Sequence, residues 1–359
     1  MGNIPNLRRS QNILSCVVVA VSIFVSPSTF GSQKDVLQAV VGIETLVPDD
    51  ARTARILGTE RRGSGVVIDS QGLVLTIGYL ILEANKIMVT GHDGSQTTAT
   101  VVAYDHETGL GLIRIPKKIN IKPMRLGNSS QLSEEDHVLI AARGSQFPVS
   151  GAQVVSRRVF TGYWEYMLEK AIFTSPPHSF HSGAALVGKD GKLLGIGSLL
   201  VNDAATPNVP FPGNMFVPVD ELKPILADLL QNGRRAGPKR PWIGANTYEA
   251  NGRIFVSRIS KNGPADRAGI SVGDLILGVS GRPIRSHEDF YRKLWSAGEA
   301  GQLIKLSVIP KAMSDLKIKE FNINFKEGYS NTGLVAWVKG SKGNSNKSIG
   351  LRADFDALP

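Results

Sequence analysis

Gly63-Ser64-Gly65-Val66-Val67-Ile68-Asp69-Ser70-Gln71-Gly72-Leu73-Val74-Leu75-Thr76 places two apolar runs on either side of a polar turn that ends in glycine. Runs of this length around Asp-Ser-Gln-Gly predict a β-hairpin. The same texture continues outward, with strands expected at 86–90, 98–103, 112–115, 137–141, 153–156 and 193–196, broken by Gly, Asp and Asn. Short, evenly spaced strands with few helical periods between them predict a sandwich or closed barrels. A helix is expected over 219–231, where Leu222, Ile225, Leu226, Leu229 and Leu230 share a face, and Asn232-Gly233 ends it.

At 359 residues the chain exceeds one typical domain, and two to three are expected. A hydrophobic content of 42% with 38 Gly and 19 Pro fits a globular, loop-rich protein and excludes a disordered one. Forty-one Lys and Arg against 31 Asp and Glu give a formal charge of +10. No basic block is long enough for nucleic acid, and the aromatics are not interleaved with basic residues, so the charge reads as a solvated surface. At the N-terminus Arg8 and Arg9 precede an apolar run from Val17 to Val25, then small and turn residues. This is a signal-peptide pattern over 1–32, too short to span a bilayer, and it implies an exported, periplasmic or extracellular protein. The single cysteine, Cys16, precedes the apolar run, so the mature chain is expected to lack disulfides. No Cys/His spacing suits a metal, and no cofactor is expected.

Arg234-Arg235-Ala236-Gly237-Pro238-Lys239-Arg240-Pro241 reads as a linker (233–241) after a first body over 33–232. A smaller unit follows over 242–326. Its expected elements are strands at 254–256, 275–277, 303–309 and 318–325, a short helix after Pro264 and a second helix near 286–296. The tail, 327–359, is rich in Gly, Ser, Asn and Lys around the apolar patch Leu334-Val335-Ala336-Trp337-Val338, and is expected to be flexible.

The hairpin at 63–76, then Asp93-Gly94, Val102-Ala103-Tyr104-Asp105, Met124-Arg125-Leu126-Gly127-Asn128-Ser129 and His181-Ser182-Gly183 resembles the HtrA (DegP-like) family of trypsin-fold serine proteases. Gly191-Lys192-Leu193-Leu194-Gly195-Ile196 and Phe216-Val217-Pro218-Val219 resemble its later strands. Asn262-Gly263-Pro264-Ala265-Asp266-Arg267-Ala268-Gly269-Ile270-Ser271-Val272-Gly273-Asp274-Leu275-Ile276-Leu277, followed by Gly281-Arg282-Pro283-Ile284, resembles the family's PDZ domain. The resemblance implies a mainly β protein: a trypsin-like double six-stranded β-barrel followed by a small α+β PDZ domain, often assembled as a homo-trimer.

Carried onto this chain, the family's catalytic pattern is broken. Ser182 holds the nucleophile position, but the histidine position in Leu75-Thr76-Ile77-Gly78-Tyr79-Leu80-Ile81 is Tyr79. The aspartate position in Asp105-His106-Glu107-Thr108-Gly109-Leu110-Gly111 is Gly109. A serine hydroxyl needs a base, and a neutral phenol accepts a proton poorly at pH 7. In the nucleophile turn Phe180 replaces the first glycine, Ala184 the second of a Gly-Gly pair and Ala185 the proline, which puts the oxyanion pocket in question. His106, His178 and His181 are the candidates for a relocated base; each also reads as a polar surface or loop residue.

The PDZ unit keeps its binding features. Trp242-Ile243-Gly244-Ala245 matches the carboxylate-capturing loop, and Phe290 and Leu294, four apart on a helix, are candidates for the side-chain pocket or for the core. The leading expectation is a non-catalytic envelope protein that binds peptide or protein C-termini and unfolded proteins, alone or with active relatives. The alternatives are an active, divergent serine endopeptidase and a structural envelope component.

Overall fold

The computed structural model describes residues 33–116, 121–146, 148–311, 319–330, 333–338 and 349–354. The signal peptide expected over 1–32 lies outside them. Helix α1 (Gln33–Ala39) leads into strand β1 (Val40–Leu46), and the short helix α2 (Ala54–Leu57) precedes β2 (Glu60–Val67) and β3 (Leu73–Ile77). The Asp69 carboxylate closes the expected turn between β2 and β3 by accepting the Gln71 and Leu73 N–H groups.

Strands β4 (Lys86–Thr90), β5 (Gln96–Thr98), β6 (Thr100–Tyr104) and β7 (Leu110–Arg114) complete a seven-stranded antiparallel sheet in the order β5-β4-β1-β2-β3-β7-β6. Its two edge strands, β5 and β6, are separated in the chain by Ala99 alone. One bent strand therefore pairs with both ends of the sheet, and the sheet rolls into the first six-stranded barrel. A register shift between Val101 and Ala103 lies just past the bend, where a bulge sharpens strand curvature.

The second barrel is closed: β10 (Tyr166–Ser175), β13 (Gly213–Pro218), β12 (Leu193–Val201), β11 (Ala185–Val187), β8 (His137–Ala141) and β9 (Val149–Gly162) follow one another around it. One apolar cluster runs through both barrels, from Val40, Val74 and Leu112 in the first to Phe173, Ile196 and Val217 in the second. The site lies between the barrels, on the turn after β3 and the loop before β11. The helix expected over 219–231 is a 3₁₀ turn, Val219–Glu221, and then α3 (Leu226–Asn232), ended by Gly233 in the left-handed conformation.

The second body is built on β14 (Ala245–Ala250), β15 (Arg253–Ile259), β16 (Leu275–Val279), β17 (Arg282–Pro283) and β18 (Ile304–Ile309), with helices α4 (Pro264–Arg267) and α5 (His287–Ser296). Ser286 caps α5 by accepting the Asp289 N–H. Strand β14 is the sheet's free edge, and α5 runs beside it. At the other edge β18 pairs with β19 (Lys319–Ser330), then β20 (Gly333–Val338) and β21 (Ile349–Asp354). The tail expected to be flexible thus carries strands, and β20 is the apolar patch itself, whose Val and Trp residues favour an extended, paired backbone.

Candidate functional site

Tyr79 stands in the 3₁₀ turn Gly78–Leu80 that follows β3. The turn is held from below by Arg61, whose Nη1 donates to the carbonyls of Tyr79 at 2.7 Å and Leu82 at 2.8 Å. The Tyr79 hydroxyl oxygen lies 2.9 Å from Ser182 Oγ and 2.8 Å from the Ser198 carbonyl oxygen. A carbonyl only accepts, so the one phenolic proton serves Ser198, and the Ser182 hydroxyl is left to donate to Tyr79. Burial pushes the phenol up to about 12, and the hydrogen bond from Ser182 lowers it less than burial raises it. The nucleophile position is therefore paired with a group that stays neutral throughout the physiological range.

Around Ser182 the loop is tightly built. Ser64 N–H donates to the Ser182 carbonyl at 2.8 Å, and the Thr76 hydroxyl donates to the Ser64 carbonyl at 2.7 Å. Gly183 has φ +70, and a Cβ there would stand 1.9 Å from the Ser64 carbonyl oxygen, so only glycine fits. Ala184 and Ala185 are fully buried and extend the chain into β11. The Phe180 N–H, expected at the oxyanion position, donates to His178 Nδ1 at 3.1 Å and is turned onto the protein's own ring. Phe180 itself is 48% exposed.

Gly109, expected at the aspartate position, adopts φ +74, and its carbonyl accepts the Gly78 N–H at 2.7 Å, directly beneath the Tyr79 turn. It has no side chain to orient a base. The buried carboxylate of this loop is Asp105, which accepts the Thr108 N–H and hydroxyl and a two-pronged contact from Arg235 in the linker, 2.9 Å on each oxygen. Its charge ties the linker down.

The three histidines considered as replacements make other contacts. His178 is buried, with its backbone held by Asn214 and its Nδ1 by Phe180. His181 Nδ1 faces the Ser179 carbonyl at 3.2 Å, and the exposed His106 sets its ring edge-on to Tyr104. Tyr79 is, among the described residues, the side-chain hydrogen-bond partner of Ser182 Oγ. Among the described residues no group of three His, Cys, Asp or Glu is arranged to hold a metal.

In the second body Trp242-Ile243-Gly244-Ala245 forms the loop entering β14, and its Ile243, Gly244 and Ala245 N–H groups converge on one point. Phe290 and Leu294 are both fully buried in the core of this body. The α5 residues that border the groove beside β14 are their neighbours His287 and Tyr291. His287 Nε2 meets the Thr247 hydroxyl at 2.8 Å, and the Tyr291 hydroxyl reaches 3.3 Å from it. Those two were missed in the sequence, although a histidine and a tyrosine four apart on the same helix are the signal that would have found them.

Residues 63–196 match the model of the trypsin-like peptidase domain and residues 241–324 that of the PDZ domain. The chain is 26% identical over 278 residues to the serine protease Do-like HtrB of Bacillus subtilis, covering 69% of this chain and 59% of that one. With the periplasmic serine endoprotease DegP of Salmonella typhimurium it shares 29% over 242 residues, 62% of this chain and 49% of the other. The chain thus spans less than two thirds of the length of these relatives. The solved HtrA-type protease AlgW with decapeptide superposes with a TM-score of 0.50 at 20% identity, over 87% of this chain and 98% of that one, a likeness of fold.

Proposed function

Because the chain belongs to the HtrA (DegP-like) family, a trypsin-like domain followed by a PDZ domain, we propose that it is a non-catalytic member that acts through its PDZ groove. It is an exported binder of peptide or protein C-termini and of unfolded proteins, serving as chaperone or modulator in envelope protein quality control. The relatives named as periplasmic support the compartment. Assembly as a homo-trimer, or with active relatives, belongs to the same proposal. So does a division of the chain into signal peptide (1–32), protease-like domain (33–232), linker (233–241), PDZ domain (242–326) and tail (327–359).

The observation that carries the proposal is the 2.9 Å contact between Tyr79 Oη and Ser182 Oγ. Peptide cleavage needs the serine proton taken up as the oxygen attacks. With the phenol pushed up to about 12, its basic form makes up only about one part in 10⁵ at pH 7. A serine lacking both base and orienting carboxylate retains at most the binding and oxyanion contribution, ~10³–10⁴-fold over water, and here the Phe180 N–H is already engaged. The PDZ loop, in contrast, keeps three N–H donors converging on a carboxylate, here that of Glu165, the arrangement that captures a terminal carboxylate.

Incubation with denatured casein tests the proposal against the Ser182→Ala variant. Equal, background-level cleavage by both proteins is expected. Cleavage by the wild type that disappears in the variant makes the chain a divergent endopeptidase.

A further inference from the structure

The three N–H groups of the carboxylate-capturing loop do not face an open groove. Ile243 N–H donates to Glu165 Oε2 at 3.0 Å, and Gly244 and Ala245 N–H donate to Oε1 at 2.7 and 3.2 Å. Glu165 belongs to the three-residue loop 163–165 that joins β9 to β10 of the second barrel. A side-chain carboxylate of the protease-like domain therefore sits where a PDZ domain holds a peptide's terminal carboxylate.

The backbone of the same loop follows it into the groove. Thr247 N–H on the free edge of β14 donates to the Tyr163 carbonyl at 2.8 Å, the type of bond an added strand would make. From the facing helix the Tyr291 hydroxyl donates to the Gly162 carbonyl at 2.7 Å and accepts the Glu165 N–H at 3.1 Å. Both walls of the groove thus grip the loop. The flanks are packed as well, since Met167 at the start of β10 is buried in the PDZ core and Arg292 forms a two-pronged pair with Glu169 at 2.8 and 2.6 Å.

Glu165 has φ +58, the left-handed conformation that the third residue of such a hairpin loop adopts and that Gly or Asn fills at least cost. Glutamate, with its Cβ, is strained in this conformation where glycine is not. The shape of the hairpin asks for a left-handed residue but not for a carboxylate, whereas the loop at 243–245 asks for a carboxylate.

We propose that the tip of the β9–β10 hairpin is the built-in ligand of the PDZ groove, with Glu165 standing in for a C-terminal carboxylate, and that an external peptide terminus binds only by displacing it. This rests on the peptide-binding function proposed above and adds a gate to it. The apparent affinity for an outside peptide is the intrinsic affinity scaled by the fraction of molecules whose hairpin has left the groove. The same contact holds the PDZ domain against the second barrel, so capture of a peptide frees the PDZ domain from this anchor.

The test uses the full chain, its Glu165→Ala variant, and Glu165→Gln as an isosteric control that keeps the loop's shape but loses the charge. Two readouts are taken: amide hydrogen exchange across 242–250, and binding of a fluorescein-labelled pool of decapeptides with free C-termini, with the amidated pool alongside. Glu165→Ala is expected to speed exchange across 242–250 and to bind the free-carboxyl pool about tenfold more tightly than wild type, the scale of a lost charge-assisted contact. Glu165→Gln should fall between them, and the amidated pool should bind to none. Unchanged exchange in Glu165→Ala, with the pool bound equally by variant and wild type, overturns the gate and leaves the peptide-binding function standing. Faster exchange with no peptide bound by any of the proteins overturns the function and the displacement together, and reduces the contact to a joint between domains.

Discussion

Tyr79 gives its hydroxyl proton to the Ser198 carbonyl and takes that of Ser182, so one phenol bridges the two barrels at the place where a base would stand. Tyr79 comes from the turn after β3 in the first barrel, and Ser182 and Ser198 from the second. A contact of this kind is worth keeping for stability alone.

Replacing Tyr79 by phenylalanine keeps the ring and removes the bridge. The Ser198 carbonyl loses a buried donor, so the variant should be less stable by about 1–3 kcal/mol. The readout is the urea midpoint at unchanged slope, and proteolytic background should stay where it was. A midpoint equal to wild type would remove the structural role assigned to the phenol.

The linker anchor makes a second prediction. Asp105 is 3% exposed at its side chain and Arg235 27%, and their two 2.9 Å contacts fix the linker to the loop that carries Gly109. Arg235→Ala leaves the carboxylate with Thr108 alone. Full loss of a buried partner costs about 3–5 kcal/mol; the partial exposure of Arg235 and the remaining Thr108 bonds reduce this to about 1–3 kcal/mol. Denaturant unfolding measures it, and limited proteolysis should cut faster within 233–241.

Much of this arrangement was legible in the sequence, and the exceptions have physical causes. The hairpin at 63–76 was visible because Asp69 both breaks the apolar run and caps the turn. Tyr79, Gly109 and Ser182 were found because the strands around them keep their order, and the structure brings all three to the junction of the barrels. Strand β10 was not recognised: Glu169 and Lys170 fall at a bulge between Leu168 and Ala171, which interrupts the alternation that marks a strand. In α5 the apolar spacing of Phe290 and Leu294 marks the stripe that enters the core. The groove is bordered by the adjacent row, His287 and Tyr291, whose polar atoms carry no periodic apolar signal. Glu165 was invisible because its partners are 78 to 80 residues away and are backbone N–H groups, which have no sequence signature.

Glu165 also gives the docked hairpin a pH dependence. Burial raises its carboxyl to about 7, with the three N–H donors opposing the rise, against about 4.3 for a free glutamate. A group whose value is higher when docked takes up a proton on docking, so docking is strongest below the free value and weakens as the pH rises through 7. The groups facing Glu165 do not titrate in this window. Burial lowers the His287 imidazole to about 4, and the Tyr291 hydroxyl is pushed above its usual range. The exposed Arg292–Glu169 pair stays ionised. Corrected for its intrinsic pH slope, amide exchange across 242–250 should be faster at pH 8 than at pH 6 in the wild type, and that difference should vanish in Glu165→Gln. The opposite slope would mean that the three N–H donors outweigh burial, so that ionisation strengthens docking instead of weakening it.

The most direct test of the non-catalytic assignment is fluorophosphonate labelling of Ser182, read by intact mass and peptide mapping beside the serine protease Do-like HtrB of Bacillus subtilis. A hydroxyl whose partner is a neutral phenol should remain unlabelled under conditions that fully modify the relative. Stoichiometric modification at Ser182, absent from Ser182→Ala, would show that a working base reaches this serine and would contradict the account.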